Sequence, residues 1–388
     1  MKFDYSEEQR LVADSVRRFV AQDYGFEARK KIVASREGWS REVWAKLAEI
    51  GLLGLPFPAE LGGFGGRAID LLAVMEAMGE GLLVEPYLST VLAGRFVALA
   101  GSDAAKAEIV PAIVEGRLAM AFAHTEDGAR YDLAHVATRA ARNAGGYVID
   151  GVKRVVAHAP CADRLVVSAR TSGATADGRG VSLFVVDARA PGVSMAACRT
   201  LDEIRAADVR FEGVRVSGAG LLGTEGEASA LIEEATDYAI ALLCAEAVGA
   251  LKSACDATLE YLKARKQFGV PIGAFQALQH RMVDMTIGYE QARSMASLAC
   301  ARVDTEKDPR ERKRVVSAAK IKIADACRHV SQESVQLHGG MGMSEELKVS
   351  HTFRRLTMIA REWGDADHHL DRFARSSASS LGEGRGKA

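Results

Sequence analysis

No two of the six cysteines (Cys161, Cys198, Cys244, Cys255, Cys300 and Cys327) stand in C-x-x-C spacing. That absence removes the case for a zinc ribbon or a disulfide framework, and scattered single thiols fit a reducing cytosol. An excess of charge is missing too: 50 Lys and Arg face 51 Asp and Glu, a formal net charge of -1. A balanced chain gives no electrostatic reason to expect nucleic acid or an anionic membrane as partner. No uninterrupted apolar run is long enough to span a bilayer, and the opening MKFDYSEEQRLV lacks the apolar core of a secretory signal. The histidines form no i, i+4 pair, and His368 and His369 would point about 100° apart on a helix, so no metal site is expected. There is no internal repeat. The expectation is a cytoplasmic protein without metal, membrane or nucleic acid.

What is present is a chain of 388 residues, 48% hydrophobic and 26% charged, enough for two or three domains with real cores. Up to about residue 120 the apolar spacing is helical. Ser6 and Gln9 form a capping-box pattern ahead of Leu11, Val12, Val16, Phe19 and Val20, and Ser40 is a second candidate cap. GLPFPAELGGFGG, rich in Pro and Gly, must be a loop. Between about 121 and 222 the pattern changes to short Val-rich runs separated by Gly, Asp and Ser, which are strand signals; Glu212-Gly213 interrupts one of them as a turn or bulge. From about 223 long helical patterns return over 228–266, 274–303, 310–337 and 349–358, joined by FGVPIG and HGGMG. The predicted fold class is α+β: an N-terminal helical domain (1–120), a middle β-barrel or sandwich (121–222), a C-terminal four-helix bundle (223–375) and a polar disordered tail (376–388).

Two stretches stand out for chemistry. RKQFGVPIGAFQALQHRMVDM places a fixed cation, Arg265, beside the amides of Gln267 and Gln276 and the flat face of Phe268; QLHGGMGMSEE adds Gln336 and the small Gly339 and Gly340. A guanidinium suits a diphosphate and paired glycines let a ligand approach backbone. Alternatively, Arg265 and Gln276 brace helices and the glycines merely turn the chain. These motifs, with PAELGGFGG near the N-terminus and the helix, strand, helix order, resemble the acyl-CoA dehydrogenase family over nearly the whole chain. More narrowly, the chain resembles the small subunit of pimeloyl-CoA-dehydrogenase-type pairs.

The resemblance implies FAD and the alpha,beta-dehydrogenation of an acyl-CoA thioester, with electron-transfer flavoprotein as acceptor. It implies that Arg265, Gln267, Phe268, Gln276, Gln336, Gly339 and Gly340 hold the adenosine and diphosphate end of FAD, largely a neighbouring subunit's. Thr125 belongs to the family's flavin loop, here TEDGARYD, which keeps Thr125, Glu126, Gly128 and Asp132. In DGVKRVVAH, Gly151 and Lys153 are kept, but Val155 and Ala157 stand where the family has a flavin-packing Trp and a Thr. An aliphatic side chain and a methyl replace neither a ring nor a hydroxyl.

The family's catalytic Glu falls on Trp363, and its alternative position, 26 residues before Arg265, falls on Ala239, followed by Ile240 where an Arg is common. Neither is acidic. Glu362, Asp365 or Asp237 would have to substitute, although a shift of one helical residue turns a side chain by about 100°. The expectation is a subunit of a heteromer, a heterotetramer with a related chain that carries the base. The alternatives are a homo-oligomeric dehydrogenase with a relocated base, a flavin monooxygenase on the same fold, and a non-catalytic structural subunit.

Overall fold

The computed structural model describes residues 6–383. Six helices come first: α1 (Glu7–Gln22), α2 (Phe26–Ala34), α3 (Arg41–Glu49), α4 (Ala68–Gly81), α5 (Tyr87–Ala100) and α6 (Asp103–Val114). The strands are β1 (Met120–Ala123), β2 (Arg139–Asn143), β3 (Gly146–Ala157), β4 (Arg164–Arg170), β5 (Val181–Asp187), β6 (Val193–Arg199), β7 (Arg205–Ser217) and β8 (Leu221–Leu222). Then follow α7 (Ser229–Ala264), a miniature hairpin of β9 (Lys266–Gln267) and β10 (Val270–Pro271), α8 (Gln276–Val303), α9 (Pro309–His338), α10 (Lys348–Ile359) and α11 (Ala366–Glu383). The capping box forms, with Ser6 and Gln9 reciprocally bonded, and the Ser40 hydroxyl accepts the Val43 N–H.

Two compact units divide the chain, and they do not follow sequence order. Of the described residues, one gathers 6–29, 67–83 and 240–383; the other gathers 30–66 and 84–239. The N-terminal helices are therefore shared out: α1 and α4 lie with the C-terminal helices, while α3, α5 and α6 lie with the strands.

In the helical unit α4 and the later part of α7 touch backbone to backbone. A Cβ at Gly249 would lie 1.8 Å from the Glu76 carbonyl oxygen, and one at Gly79 would lie 1.9 Å from that of Glu246. Only glycine at both positions lets the axes approach so closely. Residues 240–251 of α7 are buried without exception. α7 is long and apolar enough to cross a bilayer by length and composition, yet 89% of its most apolar window is buried inside the protein, as in a core helix. The last helix corrects the expected tail. α11 continues past 375 to Glu383; the Ser376 and Ser377 hydroxyls donate to the carbonyls of Arg372 and Phe373 one turn back, and Arg314 lies over the Phe373 ring. The remainder of that expected tail, 384–388, lies outside the described residues.

In the other unit β1 to β8 join in one mixed sheet, order β6-β7-β3-β2-β4-β5-β8, with β1 parallel to β4. The break at Glu212-Gly213 is a bulge inside β7: Gly213 has φ +62 and gives its N–H to Asp150. Ile149, Leu165, Val167, Phe184, Val209 and Phe211 fill the inner face. Arg170, 1% exposed at the end of β4, donates to the carbonyls of Val136, Ala134, Arg179, Thr175 and Asp177 at 2.8–3.1 Å. One guanidinium thus ties the β4–β5 loop to the chain entering β2.

Two substitutions test these supports. Gly249→Ala should destabilise the protein by about 3 kcal/mol, because neither backbone can yield. Arg170→Met should cost about 3 kcal/mol or more by stranding buried carbonyls. Urea midpoints measure both, with the exposed Arg142→Met expected to change little.

Candidate functional site

The residues of the two C-terminal motifs meet at one end of the helical unit. α7 ends at Ala264, and Arg265 follows with its N–H still bonded to the Tyr261 carbonyl. The β9–β10 hairpin then turns through Phe268 (φ +53) and Gly269 (φ +81), a two-residue turn with both central residues left-handed. This turn throws Phe268 outward, 90% exposed, edge-on to Phe275 at 6.1 Å. Gln276 opens α8 and Gln336 lies in the last turn of α9. Stacking of Tyr261 on His338 at 4.4 Å, and the Thr258–Ser334 hydroxyl pair at 2.8 Å, fasten the ends of α7 and α9 together.

The side chains displayed there are uncommitted. Arg265, Gln276 and Gln336 are exposed and make no side-chain hydrogen bond or ion pair within the described residues. Gln267 reaches only the carbonyl of Lys266. A Cβ at Gly339 or Gly340 would meet nothing within 4 Å, so the backbone there is open to a visitor. Val283 and Ile287, one turn apart on α8, and Met341 and Met343 add exposed apolar surface. A cation, free amides, an aromatic face and bare backbone are what a nucleotide diphosphate requires, so these residues fit the FAD end expected of them.

The loop Arg361–His369 lies in the same unit, and it is rigidly built. Trp363 (φ +59) and Gly364 (φ +122) turn it, and a bulky residue in the left-handed region is strained. Two buried groups hold the turn. The Lys320 ammonium donates to the carbonyls of Ile359 (2.8 Å) and Gly364 (2.7 Å), and His369 Nε2 donates to the Trp363 carbonyl (3.1 Å). Burial, then the charges of Lys320 and Arg372, push His369 down to about 2. Burial likewise lowers Lys320.

Each acidic candidate in this loop already has structural work. Glu362 is ion-paired with Arg355 at 3.4 Å, and Arg355 forms a buried two-pronged pair with Glu246 at 2.6 and 2.8 Å. Asp365 caps α11 by accepting the His368 N–H at 2.9 Å.

In the sheet unit Thr125 is exposed and its hydroxyl makes no hydrogen bond within the described residues. Glu126 beside it is buried, accepting the N–H groups of Ala137 (2.6 Å) and Thr138 (3.0 Å) and the Lys153 ammonium (2.6 Å). Burial alone would raise Glu126, but Lys153 and these bonds outweigh it and hold the carboxyl below its ordinary range. Lys153 is lowered to about 8 by burial, with Glu126 opposing the fall. His124, hydrogen-bonded to Ser168, is pushed down to about 3 by burial and then by Lys153. At the β3 bulge Val155 has φ +46, is 55% exposed and gives its N–H to Asp208. The strained backbone is present where the ring is not. Asp237 and Ala239 on α7 are both fully buried.

Lys320, Arg355 and Glu246 escaped the sequence reading. Lys320 had a signal: it falls in phase with Val316, Ile323 and Cys327 on the buried face of α9, where a solvated lysine would not be placed. Among the described residues no three His, Cys, Asp or Glu side chains cluster as metal ligands.

Comparison with known proteins agrees with this geometry. Residues 6–117, 121–214 and 229–378 match the N-terminal, middle and C-terminal domains of acyl-CoA dehydrogenase. The chain is similar to subunit CarC of the caffeyl-CoA reductase-Etf complex of Acetobacterium woodii, 29% identical and covering 90% of this chain and 93% of that one. Among solved structures it resembles the ChsE4-ChsE5 complex from Mycobacterium tuberculosis (TM-score 0.87, 27% identity, 97% of this chain and 99% of that one). It also resembles the FAD complex of PigA (TM-score 0.89, 27% identity, 98% and 99%). The three-domain match defines the class as oxidoreductases acting on a CH–CH group. The chain belongs to the acyl-CoA dehydrogenase family.

The buried histidines set an acid limit. Both His124 and His369 titrate below the ordinary value near 6.5 when folded, so the unfolded chain binds more protons as pH falls. Stability from each is complete above pH 6.5 and declines below it by about 1.4 kcal/mol per pH unit. Thermal unfolding between pH 6.5 and 5 should show this slope, and His369→Gln or His124→Gln should each make it shallower.

Proposed function

We propose that this chain works as the base-less subunit of an FAD-dependent acyl-CoA dehydrogenase heteromer, lending its bundle end to a flavin whose catalytic carboxylate sits on a related partner. One observation carries the reading. The surface that would hold the dinucleotide is intact and uncommitted, while both positions for the base are non-acidic and the three acids weighed as substitutes, Glu362, Asp365 and Asp237, are otherwise engaged or buried. Bound FAD supplies the hydride acceptor for alpha,beta-dehydrogenation of the acyl thioester.

The protein's own contribution is placement. Arg265 neutralises diphosphate charge, Gln267, Gln276 and Gln336 direct hydrogen bonds, Phe268 covers an apolar edge, and Gly339 and Gly340 admit close backbone approach. The likeness to the ChsE4-ChsE5 complex supports a two-chain assembly. The likeness to a subunit of an Etf complex supports electron-transfer flavoprotein as the acceptor. A relocated base on Glu362, Asp365 or Asp237 is less well supported. Moving Glu362 would break its pair with Arg355, moving Asp365 would uncap α11, and Asp237 has no access to solvent.

The test is the flavin-to-protein ratio and the bleaching of flavin by acyl-CoA, measured for this chain alone and with a related subunit that carries a Glu base. The lone chain should hold little FAD and not be reduced. The pair should hold FAD and bleach, and Arg265→Ala with Gln336→Ala should weaken its FAD retention about tenfold or more. Full occupancy and turnover by the lone chain would overturn the reading.

A further inference from the structure

A cationic cavity in the sheet unit plays no part in the function proposed above. It has a volume of about 690 Å³ and is walled by Arg36, Arg41, Arg199 and Arg205, with Glu37 the one acid among its lining residues and Trp39 in its wall. Three separate segments supply these arginines: the α2–α3 loop with the start of α3, the end of the edge strand β6, and the start of β7 paired with it.

The loop bearing Arg36 is fixed. The Ser35 hydroxyl donates to the Ile32 carbonyl and accepts the Gly38 N–H at 3.0 Å, and the Ser40 hydroxyl caps α3. Gly38 has φ +72, and a Cβ there would lie 2.0 Å from Arg205 Nε. Glycine is therefore required for the loop to close over that guanidinium.

The charges are unequally spent. Arg205 Nη2 donates to the carbonyls of Val33 and Ser35 at the end of α2, but its buried Nε has no partner. Arg41 pairs with Glu37 at 3.2 Å and lies over the Trp39 ring. The Arg36 and Arg199 side chains form no hydrogen bond or ion pair within the described residues. Four guanidiniums and one carboxylate line the cavity, and an anion seated among them would relieve their mutual repulsion. A single carboxylate would not balance this wall, whereas a diphosphate brings several charges and suits the guanidinium fork. The volume is that of a small-molecule site rather than of a lone ion.

We propose that this cavity binds a small diphosphate-bearing ligand, of the nucleoside diphosphate class, at a site separate from the Arg265 surface. Inorganic pyrophosphate and ADP are the probes, titrated by calorimetry into the full chain in its FAD-loaded assembly, with Trp39 fluorescence as a second readout. Both should bind with affinity that falls as salt rises. Arg36→Gln and Arg199→Gln, both open to solvent and so expected to fold, should each weaken binding about tenfold or more. Arg142→Gln, exposed and outside the cavity wall, should leave it unchanged. Equal affinity in the Arg36 and Arg199 variants, loss of binding in Arg142→Gln, or no binding of either probe would each overturn the proposal.

Discussion

A buried cation surrounded by backbone carbonyls is the device on which both halves of this protein depend. Arg170 gathers carbonyls from two loops in the sheet unit, and Lys320 gathers the end of α10 and the following turn in the helical unit. Burying a charge is costly unless hydrogen bonds replace its water. Here the carbonyls do so, and the same bonds satisfy acceptors that loops would otherwise leave stranded. The loops become as well determined as the helices they join. Strained residues such as Trp363 and Val155 persist because their surroundings leave the backbone no alternative.

That rigidity bears on the base-less subunit proposed above. The Arg361–His369 loop has its cap, its ion pair and its buried supports with Trp363, not an acid, at its turn. The loop's form is thus independent of the catalytic side chain. A subunit can give up the chemistry and keep the architecture, provided the surface it lends to a neighbour survives. Arg265, Gln276 and Gln336, exposed and unpaired, are such a surface, and their lack of structural duty is a physical reason to look outside the chain for what they hold.

Much of this was readable in advance. The capping box at Ser6 and Gln9, the Ser40 cap, the bulge at Gly213 and the four long C-terminal helices all follow from local rules of spacing and turn chemistry. The buried salt links were harder. Glu246 and Arg355 lie more than a hundred residues apart, and no periodicity announces that two charges in different helices will meet in the core. The end of α11 went unread because a run of serines carries no apolar periodicity that marks a helix.

Sequence by itself determined most of the elements, the family and the absence of an acid at Trp363 and Ala239, because those depend on neighbours along the chain and on residue identity. Only the tertiary structure decided which charges are spent. It occupied Glu362 with Arg355, left Arg265 free, and brought Arg36, Arg41, Arg199 and Arg205 around one cavity from three segments. The reason is that a charge's partners are fixed by distance in space, which local spacing along a chain does not encode.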